Sequence, residues 1–155
     1  MPAQFRAIST QEARAHQAGA LDAFGCPPER QISDGGLPCR HCLEDVAAGD
    51  EALLLAYRPF GAVQAYAEAG PIFLHAGPCQ RRADSGEPPA ALLRRQRAIV
   101  RGYTAGERIA EGTGAVVETA RVAAAAAALL ERPEVAFVHV RSATNNCFWC
   151  RVDRG

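Results

Sequence analysis

The chain contains no lysine, one methionine and one tryptophan, and no uninterrupted apolar stretch long enough to span a bilayer. All seventeen basic residues are therefore arginine, balanced by seventeen acidic ones, for a formal net charge of zero. A polyanion-binding protein ordinarily carries a net basic face with interleaved aromatics. The one cationic cluster, Arg94, Arg95, Arg97 and Arg101, reads instead as a solvated face, so neither nucleic acid nor membrane is expected as a partner. Also missing are a G-x-S-x-G elbow, a phosphate-binding loop, an H-E-x-x-H zinc helix and a dinucleotide fingerprint. Each absence removes a reaction class, and no catalytic residue can be named from the sequence. Residues 1–8 lack a basic region followed by an apolar core, so no secretory signal is expected and the cytoplasm is the default compartment.

What is present is cysteine in pairs. Cys39-Arg40-His41-Cys42 and Cys147-Phe148-Trp149-Cys150 hold four of the six cysteines. In a reducing compartment such pairs are more often metal ligands or redox thiols than disulfides. A length of 155 residues with 48% hydrophobic and 22% charged residues is enough for one ordinary domain with its own core. No metal is needed merely to let such a chain fold.

Along the chain, Ser9 and Glu12 have the spacing of a capping box, predicting a helix from there to about Phe24, with Leu21 and Phe24 facing inward. Residues 30–33 read as a short extended piece, and Asp34-Gly35-Gly36 as a turn. The runs 51–57 and 72–75 read as strands, the second with Phe73 and His75 on one face and Ile72 and Leu74 on the other. The polar stretch 80–89 is the expected mobile loop. One or two helical turns are expected over 90–95, then strands over 98–103 and 107–111. A helix over 116–131 contains six consecutive alanines and is stopped by Pro133. Residues 135–141 and 147–153 read as a terminal antiparallel hairpin. No repeat or linker divides the chain. The pattern predicts one α+β domain over 1–155, mostly antiparallel sheet, with an N-terminal helix, a longer Ala-rich helix and a C-terminal β-hairpin.

Leu37-Pro38-Cys39-Arg40 with Leu43-Glu44-Asp45, Gly70-Pro71-Ile72-Phe73, residues 135–140, and the closing Asn146-Cys147 with Arg151-Val152-Asp153-Arg154 together resemble the bacterial family catalogued as domain of unknown function 1203. The resemblance covers nearly the whole chain. It implies a bacterial origin and a one-domain protein of this size, and no activity. The chain departs from the family pattern at Cys42 and Cys150, where other residues are common, so a four-cysteine site would belong to a subgroup.

Three chemistries suit these residues. Cys39, Cys42, Cys147 and Cys150 offer four thiolates to one zinc ion, with His41, His75 and Cys79 as substitute ligands should a cysteine point away. For this, Cys147 and Cys150 must converge, and in a strand that requires a turn or bulge at Phe148-Trp149. Alternatively, either pair could act as a redox dithiol, Cys39 being the better candidate because Arg40 or His41 can stabilise its thiolate. A third reading places His139 opposite Trp149 and Arg141 opposite Cys147, so that these residues, with Arg58 and His75 at the ends of other strands, form a face for a small anion. Against all three stands plain burial of cysteine as a small hydrophobe, the reading favoured for Cys26 and Cys79.

Overall fold

The computed structural model describes residues 2–155, and their contacts group them into two units. The first comprises residues 2–6, Pro59–Glu68 and Asp84–Gly155; the second comprises Ala7–Arg58 and Ala69–Ala83. Both are built on antiparallel sheet, so the chain is an α+β protein.

In the first unit, β1 (Ala3–Arg6), β7 (Arg97–Tyr103), β8 (Ala115–Glu118), β9 (Phe137–Ser142) and β10 (Phe148–Arg154) form one sheet in the order β1-β10-β9-β7-β8. Helix α3 (Val122–Leu130) packs against β7 and β9. Its buried residues, Val122, Ala126 and Leu130, recur every fourth position and so form a single stripe. The small alanines of this helix cost no side-chain entropy and favour close approach. A four-residue helix, α2 (Ala90–Leu93), buries Ala91 and Leu92.

Two expected elements differ in this unit. The partner of β7 beyond the turn is β8 and not residues 107–111: Glu107 is in the left-handed region at φ 63°, and only Ile109 bridges back to Tyr103. Val116 and Val117, expected to start the helix, pair instead with Ile99 and Ala98, in keeping with the preference of β-branched side chains for a pleated surface. The helix begins only after a single tight turn at Thr119–Arg121, pinned where the Thr119 hydroxyl donates to Arg95 O at 2.6 Å.

The terminal hairpin forms, but in a shifted register. Arg141 lies opposite Phe148, and beyond an interruption of the ladder between Phe148 and Cys150, at Trp149, His139 lies opposite Arg151. The ladder is thus one residue off the expected pairing from the turn onward, and the extra residue displaces every later pair by one more, so the expected pairs Arg141–Cys147 and His139–Trp149 do not occur. Residues 137–141 of β9 are all buried, so this central strand is covered on both faces.

In the second unit, β2 (Glu29–Ile32), β5 (Glu51–Tyr57) and β6 (Gly70–His75) make a three-stranded sheet in the order β2-β5-β6. A short hairpin joins β3 (Leu37–Pro38) to β4 (Asp45–Val46). On β6, Ile72 and Leu74 are fully buried, while Phe73 and His75 on the opposite face are partly exposed, as the alternation predicts.

Helix α1 (Thr10–Gln17) has the capping box, with Glu12 N–H donating to Ser9 Oγ at 3.1 Å and Ser9 N–H donating to Glu12 Oε2 at 3.2 Å. It stops seven residues short of the predicted end, because Gly19 takes a φ of 98°. Leu21 and Phe24 are consequently exposed. The chain beyond is organised by Asp22, whose carboxylate accepts from the backbone N–H groups of Phe24, Cys26 and Ala56 at 2.9–3.0 Å.

The polar stretch 80–83 is also tied down, contrary to expectation. The Arg81 guanidinium donates to the carbonyls of Ala7 (2.8 Å) and Ile8 (3.0 Å), and Arg82 N–H donates to His41 O at 3.0 Å. In the first unit, Ser85 bridges Phe5. A polar sequence thus became ordered because its donors found backbone acceptors.

Candidate metal centre

The loop between β3 and β4, residues 39–44, is closed by two crossing backbone bonds: Cys39 N–H to Glu44 O at 2.9 Å and Leu43 N–H to Cys39 O at 3.0 Å. Closure requires a left-handed residue, and Leu43 supplies it at φ 60°. Glycine would adopt that conformation without steric cost. Leu43 adopts it because its side chain is completely buried.

The loop lies along β6. Arg40 N–H donates to Phe73 O at 3.0 Å, and Cys39 forms an isolated parallel bridge with Phe73. Two residues beyond Phe73 is His75, and the segment leaving β6 carries Cys79. One loop, one strand end and one connecting segment therefore bring four donors together: Cys39, Cys42, His75 and Cys79, whose ligand atoms all lie within 4.8 Å of one another.

Two of the distances between ligand atoms match the edges of a tetrahedron around zinc. Zinc bonds of about 2.3 Å to sulfur and about 2.0 Å to imidazole nitrogen place two sulfurs about 3.8 Å apart and a sulfur and nitrogen about 3.5 Å apart. Here Cys39 Sγ and Cys79 Sγ are 3.9 Å apart, and Cys42 Sγ and His75 Nδ1 are 3.5 Å apart. Cys39 is buried, while Cys42, His75 and Cys79 are partly exposed. His75 N–H also points at Cys39 Sγ, at 3.4 Å, an orientation that supports a thiolate.

Electrostatics without a metal concentrates the charge on one sulfur. Hydrogen bonds from the Cys42 and Cys79 thiols hold the Cys39 thiol far below its ordinary range. Those same bonds, to the negative Cys39, push the Cys42 thiol strongly up and that of Cys79 to about 11. His75 is raised by its contact with the Cys39 thiolate. A divalent cation at the centre would replace these protons and neutralise all three thiolates.

His41 stands just outside this group. It is fully buried, with Nδ1 3.0 Å from Cys79 Sγ and Nε2 2.9 Å from Thr10 Oγ1. Burial is the main cause that lowers its pKa and keeps the ring neutral.

Of the sequence-predicted ligands, Cys39 and Cys42 are in this group together with the substitutes His75 and Cys79. Cys79, read as simply buried, is thus a member. Cys147 and Cys150 lie in the first unit and, among the described residues, join no group of ligand atoms. The irregularity at Trp149 needed for their convergence is present. Cys150 is buried, and Cys147 Sγ lies 3.6 Å from Asn145 O. None of the six cysteines is in a disulfide.

The expected anion-binding face is divided between the units. Arg58 and His75 belong to the second, and His75 faces the sulfurs. His139, Arg141 and Trp149 belong to the first. His139 Nδ1 is 3.3 Å from Arg141 Nη2, and the Arg95 guanidinium lies 4.9 Å from the centre of the Trp149 ring. Sequence reading missed Glu68, which pairs with both Arg141 and Arg101 through long-range contacts that no local motif signals.

Fold and site together define an α+β protein with a Cys3His cluster of metal-binding dimensions. The chain belongs to the family described as protein of unknown function (DUF1203), whose model matches residues 36–154. No curated protein and no solved structure matches it. Among the described residues, no helix is long and apolar enough to cross a membrane.

Proposed function

We propose that the protein is a zinc-binding protein in which Cys39, Cys42, His75 and Cys79 hold one structural zinc ion. The observation carrying this reading is the mutual approach of three sulfurs and one imidazole nitrogen within 4.8 Å. Four protein donors fill a tetrahedral shell and leave no position for substrate, the pattern of a structural site. Soft thiolates with one imidazole favour zinc over calcium or magnesium. Such a site would fasten the β3–β4 loop to the end of β6, and structural zinc contributes on the order of 10 kcal/mol in small zinc peptides. A redox role for Cys39 is less well supported, because a reactive thiolate needs access and Cys39 is completely buried.

Elemental analysis of protein purified without chelator tests the proposal. About one equivalent of zinc per chain is expected, with loss in Cys79→Ser and retention in Cys147→Ser. Metal far below one equivalent, or loss in Cys147→Ser with retention in Cys79→Ser, would overturn it.

A further inference from the structure

Phe137, His139 and Arg141 alternate along β9 and so share one face. His139 is fully buried on that face, ringed by Tyr103, Phe148, Phe60 and Phe137 at centroid distances of 4.6, 4.8, 5.2 and 5.2 Å. Arg141 Nη2 lies 3.3 Å from His139 Nδ1. Because a guanidinium only donates, Nδ1 is the acceptor, and a neutral ring carries its proton on Nε2. That Nε2–H is buried with no hydrogen-bond partner among the described residues, and so is Arg141 Nε. Two neighbouring buried donors thus lack acceptors, a situation native interiors rarely tolerate without a reason.

The charge of Arg141 is met from outside the sheet. Glu68 Oε1 lies 3.2 Å from Arg141 Nη2 and 3.2 Å from Arg101 Nη1, one oxygen serving two guanidiniums. The remaining contacts are Arg141 Nη1 to Asn146 O at 3.1 Å, Arg101 Nη1 to the Tyr103 hydroxyl at 3.2 Å and Arg101 Nη2 to Asn146 Oδ1 at 3.5 Å. The Arg141 side chain is 4% exposed, whereas that of Glu68 is 44% exposed. Glu68 ends the segment Pro59–Glu68, which contains no helix or strand and brings Phe60 to the aromatic cluster. Apart from these two side chains, the segment is fixed mainly by Gly61 N–H to the Glu107 carboxylate and the Gln64 amide to Glu107 O.

We infer that Arg101, Arg141 and His139, walled by Tyr103, Phe137 and Phe148, form a binding site for a small aromatic carboxylate, and that Pro59–Glu68 occupies it when no ligand is bound. Phe60 stands in for the ring of such a ligand and Glu68 for its carboxylate. An incoming carboxylate in the place of the Glu68 carboxylate meets the same two arginines, and its second oxygen can accept from the unpartnered Arg141 Nε beside Nη2. Its ring replaces Phe60 against the aromatic walls. Binding therefore competes with the segment, and weakening the segment strengthens binding by removing a cost of opening. The inference is independent of the metal centre.

The test is calorimetric titration of the full chain with benzoate, using benzamide as a ligand of the same ring without charge. Glu68→Gln is expected to bind benzoate at least about tenfold more tightly than the unaltered chain, and Phe60→Ala, which leaves Glu68 in place, to move in the same direction. Adding Arg101→Gln to Glu68→Gln should abolish the gain, and benzamide should not bind. Circular dichroism of each variant shows whether it is folded, and Phe60→Ala supplies the reading if Glu68→Gln is not. Folded variants that bind benzoate no better than the unaltered chain would overturn the inference, as would equal binding of benzamide or a gain that survives Arg101→Gln.

Discussion

His41 Nδ1 lies 3.0 Å from Cys79 Sγ, while the opposite nitrogen of the same ring lies 2.9 Å from Thr10 Oγ1. Were zinc bound, Cys79 would be a thiolate that only accepts, so Nδ1–H would donate to it and Nε2 would accept from the Thr10 hydroxyl. His41 would thus orient a ligand of the proposed zinc without binding it. Partners of this kind typically alter metal affinity about 10- to 100-fold. His41→Ala is accordingly expected to weaken zinc binding by that factor while the stoichiometry stays at one. Competition with a chromophoric chelator measures the affinity, and a drop in stoichiometry would identify His41 as a ligand.

Leu43 poses two opposing effects at one position. Its left-handed backbone costs about 1–2 kcal/mol relative to glycine, and Leu43→Gly would relieve that. The same change removes a completely buried leucine side chain, and truncations of that size cost about 2–5 kcal/mol. Burial outweighs strain. Leu43→Gly is expected to lower stability to urea by about 1–3 kcal/mol net of the relief. A variant more stable than the parent would show that the loop, and not the core, dictates this residue.

The same leucine marks how far the sequence could be read. Leu43, and not a glycine, follows Cys42, and the loop forms because a core position, invisible locally, holds the strained residue. Local signals were otherwise informative. The Ser9–Glu12 box marked the start of α1, and the limits of β5 fell where they were read. Val116 and Val117 misled because the alanine run beyond them has strong helix propensity, while their pairing with β7 is a tertiary matter. Cys39 and Cys42 were evident as donors from their spacing. Completing the set with His75 and Cys79 depends on the bridge between Cys39 and Phe73, a contact between distant residues that spacing does not encode.

Ser9 allows a simpler check on the second unit. Its hydroxyl satisfies the Glu12 N–H, and Glu12 also accepts from the Tyr57 hydroxyl at 3.1 Å. Ser9→Ala is expected to cost about 1 kcal/mol through the lost cap. Glu12→Ala should cost more, because it removes the return bond to Ser9 N–H and the Tyr57 contact together. Denaturant titration of the two variants ranks them, and a loss in Glu12→Ala no greater than that in Ser9→Ala would overturn the ranking.

His139 makes stability depend on pH in a direction that can be derived. Burial first, and then the charges of Arg141 on its own strand, Arg151 on β10 and Arg101 on β7, depress its pKa well below 6.5. Below pH 6.5 the unfolded chain therefore protonates this residue while the folded chain does not. The unfolded state binds more protons, so the free energy of unfolding falls as pH is lowered through this window and is fully present above it. One such group contributes a slope of at most about 1.4 kcal/mol per pH unit. His139→Gln should flatten the slope between about pH 5 and pH 6.5 by up to that amount, whatever its effect on absolute stability. Because metal ligands titrate in both proteins, the comparison rests on the difference between their slopes. Identical slopes would mean that His139 takes up its proton over the same pH range in the folded chain as in the unfolded one, and the assignment of a neutral ring with Nδ1 as acceptor would fail.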